Sequence, residues 1–526
     1  LVDAHCHVFN ASDLPIVRFI KHSFLGHYPE QTEVRVLKVR DPDLEDFLID
    51  LAARLLGVNS SPTATEEMAV LEGRQKAERL YSDYDAAKAK AVEESAIFLQ
   101  QLHERSGGRA TMGVTGKSRA QRQLDAFLRA VGEDRMRTKA LTPLDTKQLA
   151  AKSFSRLDEI GTYLRWIPLF KLYRHELVAR LVSDQKKQGR DPMLLAPAMV
   201  DFDHWLNEFV SESPLPDQVK LMGLLAKRSS GPPVHGYFGF DPLREIYHRA
   251  GKPTFSPMVE LKVALDEHGF MGVKLYPPMG FRASGNSGSY PRWVKDDLGV
   301  DPSSQLDKVL EELYAFCGAE GVPILAHGNA SNGPGPEYNE RADVAFWLPV
   351  FESHPKLRVC LAHFGHFARG DESPDRTKSW EWRLGSYIGK NPGAPVYADL
   401  SFFSEVLNAT GRRRDQLADD FQTWVAEFDR DVDHLMFGTD WLMLGMHPGY
   451  GAYIPTVEKF LVEDCKWSQD KLSKAFITNA LRFMGLQAGE KTLRRLEEFY
   501  RRNRLDVSRL PALNNGFTRF FAMKRD

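Results

Sequence analysis

From about residue 192 onward the chain alternates short apolar runs with helical patterns, and almost every run ends on a residue that can ionise or ligate. The runs are "PMLLAPAMVDFD", "PPVHGYFGFDP", "GFMGVKLYPP", "GVPILAHGN", "LRVCLAHFGH", "APVYADLS" and "DHLMFGTDW". Each is about 5 to 8 residues long and bounded by Gly, Pro or Asp, as buried parallel strands are. Helical patterns such as "QLDKVLEELYAFCGAE" and "EYNERADVAFWLPVFESH" fall between them. An eighth run, "LVDAHCHVFN", opens the chain. Eight strands alternating with helices predict a (β/α)8 TIM barrel, although a doubly wound sheet alternates too. The polar residues favour the barrel. His5, His7, Lys274, His327, His363 and Asp440 all sit at C-terminal strand ends. A barrel gathers those ends in one ring, whereas an open sheet spreads them apart.

In an extended segment residues i and i+2 share a face, so His5 and His7 stand side by side. Asp3 is placed to orient one of them. Singly, each of these side chains has an ordinary reading: a hydrogen-bonded core histidine, a solvated lysine, a paired carboxylate. Together they form a nitrogen and oxygen donor set suited to a divalent cation, zinc first, with iron, manganese or nickel as alternatives.

Residues 11–190 carry almost no strand signal. "EDFLIDLAARLLG", "AAKAKAVEESAIFLQQLHE", "RAQRQLDAFLRAV" and "SRLDEIGTYLRWI" have apolar residues at helical spacing. This predicts a helical insertion after strand 1. It leaves from the active-site face, so it reads as a cap over the mouth or as a docking or oligomerisation module, the latter leaving a homo-oligomer open. The barrel then resumes over 191–485, and 486–526 form a tail that begins with the helical "EKTLRRLEEFYRRN".

Composition removes several alternatives. Lys+Arg number 69 and Asp+Glu 71, for a net charge of −2, so no basic surplus points to nucleic acid. No run of about 18 apolar residues is present to span a membrane. Four cysteines in 526 residues are too sparse for a disulfide scaffold and fit the reducing cytoplasm. Because the chain starts at Leu1 rather than Met, an upstream targeting segment stays open.

The motif set resembles the amidohydrolase superfamily, in its amidohydrolase-related subgroup. "DAHCHVFN" is similar to that family's DxHxH first strand, "LAHGN" and "LAHFGH" to its histidines on strands five and six, and "FGTDW" to its strand-eight aspartate. "FGFDPLREI" and the closing "KAFITNALRFMGL" resemble the same subgroup, and the likeness covers 1–10 and roughly 192–485. The resemblance implies a metal-dependent hydrolase acting on an amide, cyclic amide, lactone or ester of a small molecule. A decarboxylase of aromatic or unsaturated acids is the alternative, and a barrel without metal or turnover is a third. It further implies His5, His7, Lys274, His327, His363 and Asp440 as metal ligands. "KLYPP" resembles the strand-four lysine that becomes carboxylated in dihydroorotase-like members, which would give two ions bridged by Lys274. With an unmodified Lys274, one ion is held by His5, His7, His327 and Asp440, and this arrangement is preferred. Asp440, His363 and Lys274 are the expected catalytic groups: Asp440 to move the proton of the attacking water, His363 or Lys274 to share developing negative charge. Arg282, Tyr276, Asn329, His366 and Trp441, with Tyr237, Asn332 and His447, are candidate substrate contacts from their positions at strand ends.

Overall fold

In the computed structural model, residues 1–15, 61–74, 167–206, 211–329, 331, 333–367, 375–447 and 449–513 are described. Eight strands occur among them: β1 Val2–Cys6, β2 Leu194–Pro197, β3 Tyr237–Gly239, β4 Gly272–Leu275, β5 Ile324–His327, β6 Val359–Ala362, β7 Val396–Asp399 and β8 Leu435–Met436. Every strand residue is buried, as expected of apolar runs covered on both faces.

The strands form a parallel pair, β1–β2, and a parallel six-stranded sheet in the order β3 to β8. The two are joined at both ends. Parallel bridges at Leu195–Val234 and Ala198–Tyr237 connect β2 to β3. After β8, the amide of Ala4 donates to the Phe437 carbonyl (3.2 Å) and that of Thr439 to the His5 carbonyl (3.0 Å). The architecture is therefore α/β, of TIM-barrel type, with successive parallel strands as neighbours.

The strand signal of "DHLMFGTDW" shortens to Leu435–Met436, after which the amide of Phe437 donates to the Ala475 carbonyl instead of a neighbouring strand. A Cβ on Gly438 would lie 2.9 Å from His5 Cβ and 3.1 Å from its backbone nitrogen. Only glycine lets this segment approach β1 so closely.

Helices cover the strands. In Ser303–Glu320 the buried residues Leu306, Val309, Leu310, Leu313, Tyr314 and Cys317 recur at helical spacing, and Gly321 ends the helix in the left-handed region. The tail helix Lys491–Arg502 buries Leu493, Leu496, Phe499 and Tyr500. The stretch "EYNERADVAFWLPVFESH" departs from its helical expectation. It breaks into 3₁₀ turns at Pro336–Ala342 and Val344–Phe346 and a short helix, Leu348–Ser353. The Asp343 carboxylate accepts from the amide of Ala345 (2.8 Å) and so restarts the chain, while Pro349 cannot donate within a continuous helix.

Of the 11–190 insertion, 16–60 and 75–166 lie outside the described residues, and with them the four quoted helical stretches up to residue 166. The described remainder contains α1 Ala64–Leu71 and α2 Arg174–Lys187. These are tied to the strand-1 exit by buried Arg174, which contacts Asp13 through Nε (2.9 Å), Ser12 Oγ (2.8 Å) and Glu67 (3.4 Å). The domain expectations for 11–190 and for the tail beyond residue 513 otherwise fall outside the described residues. Among the described residues no helix is long and apolar enough to cross a membrane. All four cysteines are free and buried.

Candidate metal centre

His5 is the penultimate residue of β1, and His7 follows directly after the strand. The His7 Nδ1 lies 2.7 Å from the Ala198 carbonyl. A carbonyl only accepts, so Nδ1 carries the proton and Nε2 presents a lone pair in the neutral ring. That Nε2 faces Asp440 Oδ1 at 3.0 Å. Two acceptors thus oppose each other at contact distance, an arrangement that calls for a proton or a cation between them.

His5 is fixed in the same sense. Its Nδ1 lies 3.1 Å from Asp399 Oδ2 and 2.9 Å from Ser401 Oγ, while its Nε2 faces Lys274 Nζ at 3.1 Å and Asp440 Oδ1 at 3.6 Å. Burial, with the Lys274 charge beside it, pushes the His5 imidazole down to about 3, so the ring is neutral at pH 7. Ligand atoms of His5, His7 and Asp440 lie within 4.8 Å of one another, a spread that fits a single divalent ion.

His327 and His363 form the adjoining half. His363 Nε2 is 3.1 Å from His327 Nδ1, and the ring centroids of His363 and His5 are 5.2 Å apart. His327 therefore meets the His5–His7–Asp440 set through His363, and does not share that cluster directly among the described residues. Burial lowers His363 as well. Both His363 (φ 70°) and Asp440 (φ 52°) occupy the left-handed region, which costs non-glycine residues energy and concentrates at functional positions.

Lys274 is buried at the end of β4. Burial pulls its ammonium down to about 8, against the raising influence of Asp440 and Asp399. Burial works to raise Asp440, but the His7 contact and the neighbouring histidines outweigh it and keep it below the usual range, hence a carboxylate.

The other expected residues have varied placements. Tyr276 stacks on His327 at 4.4 Å between centroids and bonds Ser331 through its hydroxyl. Asn329 lies two residues beyond β5, half-buried. Trp441 is buried, and its carbonyl accepts from the His7 amide. Arg282 is held away from the cluster, paired with Glu340 (2.9 Å) and lying over the Phe346 ring. His366 pairs with Glu405, and His447 with Asn408 (3.0 Å). Tyr237 is core: it begins β3 and its ring lies near Phe483. Asn332 lies outside the described residues. Asp3 does not orient a histidine. It accepts from Thr439 through the amide (2.9 Å) and hydroxyl (2.7 Å) and from Gln185 (2.6 Å), which locks β1 to the segment after β8.

The residue missing from the sequence reading is Asp399. It ends β7, fully buried. Its Oδ1 accepts from the amides of His363 and Ser401 (3.0 Å each) and from the Ser401 hydroxyl. Burial alone would raise it, but His5, His363 and Ser401 hold it well below the usual carboxylate range. The signal was present: "VYADLS" ends an apolar run on a carboxylate, as "MFGTD" does.

A parallel α/β fold with histidines and an aspartate converging at strand ends defines a class of metal-binding enzymes. Residues 248–486 match the model of the amidohydrolase family. Over those residues, a little under half of the chain, it is similar to that family, in keeping with the motif resemblance. No curated protein matches it. Similar solved structures include an uncharacterised TIM-barrel protein from Bordetella bronchiseptica (17% identity, 59% of this chain and 83% of that one, TM-score 0.38). An amidohydrolase from Burkholderia multivorans with bound zinc shares 13% identity over 58% of this chain and 87% of its own, at TM-score 0.35. A 5-carboxyvanillate decarboxylase from Sphingomonas paucimobilis shares 14% identity over 58% and 82%, at TM-score 0.36.

Proposed function

We propose that the eight strands close into a (β/α)8 barrel and that the chain is a metal-dependent hydrolase of an amide, cyclic amide, lactone or ester in a small molecule. The observation that carries the reading is the opposition of His7 Nε2 and Asp440 Oδ1 at 3.0 Å, with His5 Nε2 at 3.6 Å from the same oxygen. His5, His7 and Asp440 would hold the ion, with His327 and His363 beside them. A bound divalent ion, zinc first, lowers the pKa of a coordinated water from about 15.7 to about 7 and polarises the carbonyl under attack.

The remaining work belongs to the chain. Asp440, ionised and buried, accepts the proton of the attacking water and returns it to the leaving group. The Lys274 ammonium stands where it can donate to the oxygen that gains charge, whereas the neutral His363 ring turns an acceptor nitrogen to the site. Tyr276, stacked on His327, walls one side. A two-ion variant of this reading draws on Lys274. Burial gives it a neutral-amine fraction near neutral pH, which carbamate formation requires, and the carbamate would be an anionic oxygen donor. Electron density at Nζ separates the two forms.

Zinc-loaded protein screened against lactones, cyclic amides, N-acyl compounds, esters and aromatic acids tests the function. Water uptake with ring opening or acyl cleavage is the expected result. Carbon dioxide release would assign the chain to decarboxylation instead, and no turnover on any class would leave the hydrolase reading without support.

A further inference from the structure

We infer that Asp399 is a positioning residue that selects the ligating tautomer of His5 and seats the backbone of His363, and that it is not itself a metal ligand; the inference rests on the metal site proposed above. Among the described residues, His5, His363 and Asp399 offer donor atoms close enough to suggest a second ion site. Hydrogen-bond accounting argues against that use of the carboxylate. A carboxylate has about four lone-pair sites. Oδ1 already receives the His363 amide (3.0 Å), the Ser401 amide (3.0 Å) and the Ser401 hydroxyl. Oδ2 faces His5 Nδ1 at 3.1 Å and the Cys360 thiol at 3.7 Å. No lone pair is left over for an ion.

The same accounting fixes the protons. Ser401 has one hydroxyl hydrogen, and it goes to Asp399. Its oxygen can then only accept, so His5 Nδ1 (2.9 Å) and His363 Nδ1 (3.0 Å) must each bear a proton. Both rings are thereby held as Nδ1–H tautomers with Nε2 turned to the site. Asp399 also grips the amide of His363, whose φ of 70° needs an external restraint. One carboxylate on β7 thus sets the chemistry of a β1 ligand and the pose of the residue that follows β6.

The test compares Asp399→Asn and Ser401→Ala with the unaltered full-length chain. In D399N one oxygen becomes an NH₂ facing His5 Nδ1, and the ring must move its proton to Nε2. Zinc affinity, read by competition with a chromophoric chelator, is expected to fall about 10- to 100-fold in D399N, the usual effect of losing a ligand's orienting carboxylate. It is expected to stay within about threefold in S401A, where the Asp399–His5 bond remains. In ¹⁵N-histidine spectra of the unaltered chain, with His5 assigned by its loss in H5Q, the ring should be the Nδ1–H form. An Nε2–H signal for His5, or D399N affinity equal to that of the unaltered chain, overturns the inference. If D399N does not fold, the tautomer in the unaltered chain decides. Failure of the unaltered chain to bind zinc overturns the metal-site reading instead, and the spectrum still decides the role of Asp399.

Discussion

At the scale of single residues, Asp440 carries the heaviest requirement. D440N keeps the shape of the side chain but removes its basicity, so hydrolysis should become undetectable while most of the zinc stays bound. Full activity in D440N would remove the residue from the chemistry. Gly438 makes a second residue-level prediction. G438A would drive a methyl into His5, and overpacking of this kind costs about 1–3 kcal/mol, measurable by urea denaturation. Unchanged stability would mean that the β8–β1 approach is looser than described. Legibility at this scale followed one rule: a polar side chain ending a buried run has a job. It singled out His5, His7, Lys274, His327, His363 and Asp440, which the structure brings near one another, and it applied equally to Asp399. It could not foresee that Arg282 and His366 are taken by Glu340 and Glu405, because those partners are far along the chain and only folding brings them near.

At the scale of elements, periodicity marked the strands and the long helices, since burial on a regular lattice leaves a regular apolar trace. It failed at 337–354, where Asp343 competes for backbone amides and the apolar residues serve two 3₁₀ turns and a short helix rather than one long helix. The described insertion depends on an interaction no periodicity shows. Arg174 on α2 is buried against Asp13 and Glu67, joining α1, α2 and the strand-1 exit. R174M leaves both carboxylates buried without their cation, and breaking such a buried network costs about 3–5 kcal/mol. The expected outcome is a lower urea midpoint, with earlier proteolysis between residues 61 and 190. A midpoint within error of the unaltered chain would show the ion pairs to be dispensable.

At the scale of the whole molecule, the tail helix is fastened to the sheet by His235. The ring donates through Nδ1 to the Gly269 carbonyl (2.8 Å) and its Nε2 accepts from the Tyr500 hydroxyl (3.1 Å). Burial pushes it from 6.5 to about 4. The folded state therefore resists a proton that the unfolded chain takes up near 6.5. The neutral ring's stabilisation is full above that pH and is lost as the pH falls toward 4. Between roughly pH 7 and pH 5 this amounts to about 2 kcal/mol. H235F should lose about that much less stability over the same interval, and an equal loss would place the titration elsewhere.

The fold and the site converge on one claim, that His5, His7 and Asp440 jointly hold a divalent ion. Equilibrium dialysis of the full chain against zinc, followed by elemental analysis, addresses it directly. The account predicts at least one tightly held zinc per chain, lost by at least tenfold in affinity in the H5N/H7N double variant. Equal zinc retention by the unaltered chain and the double variant would contradict it.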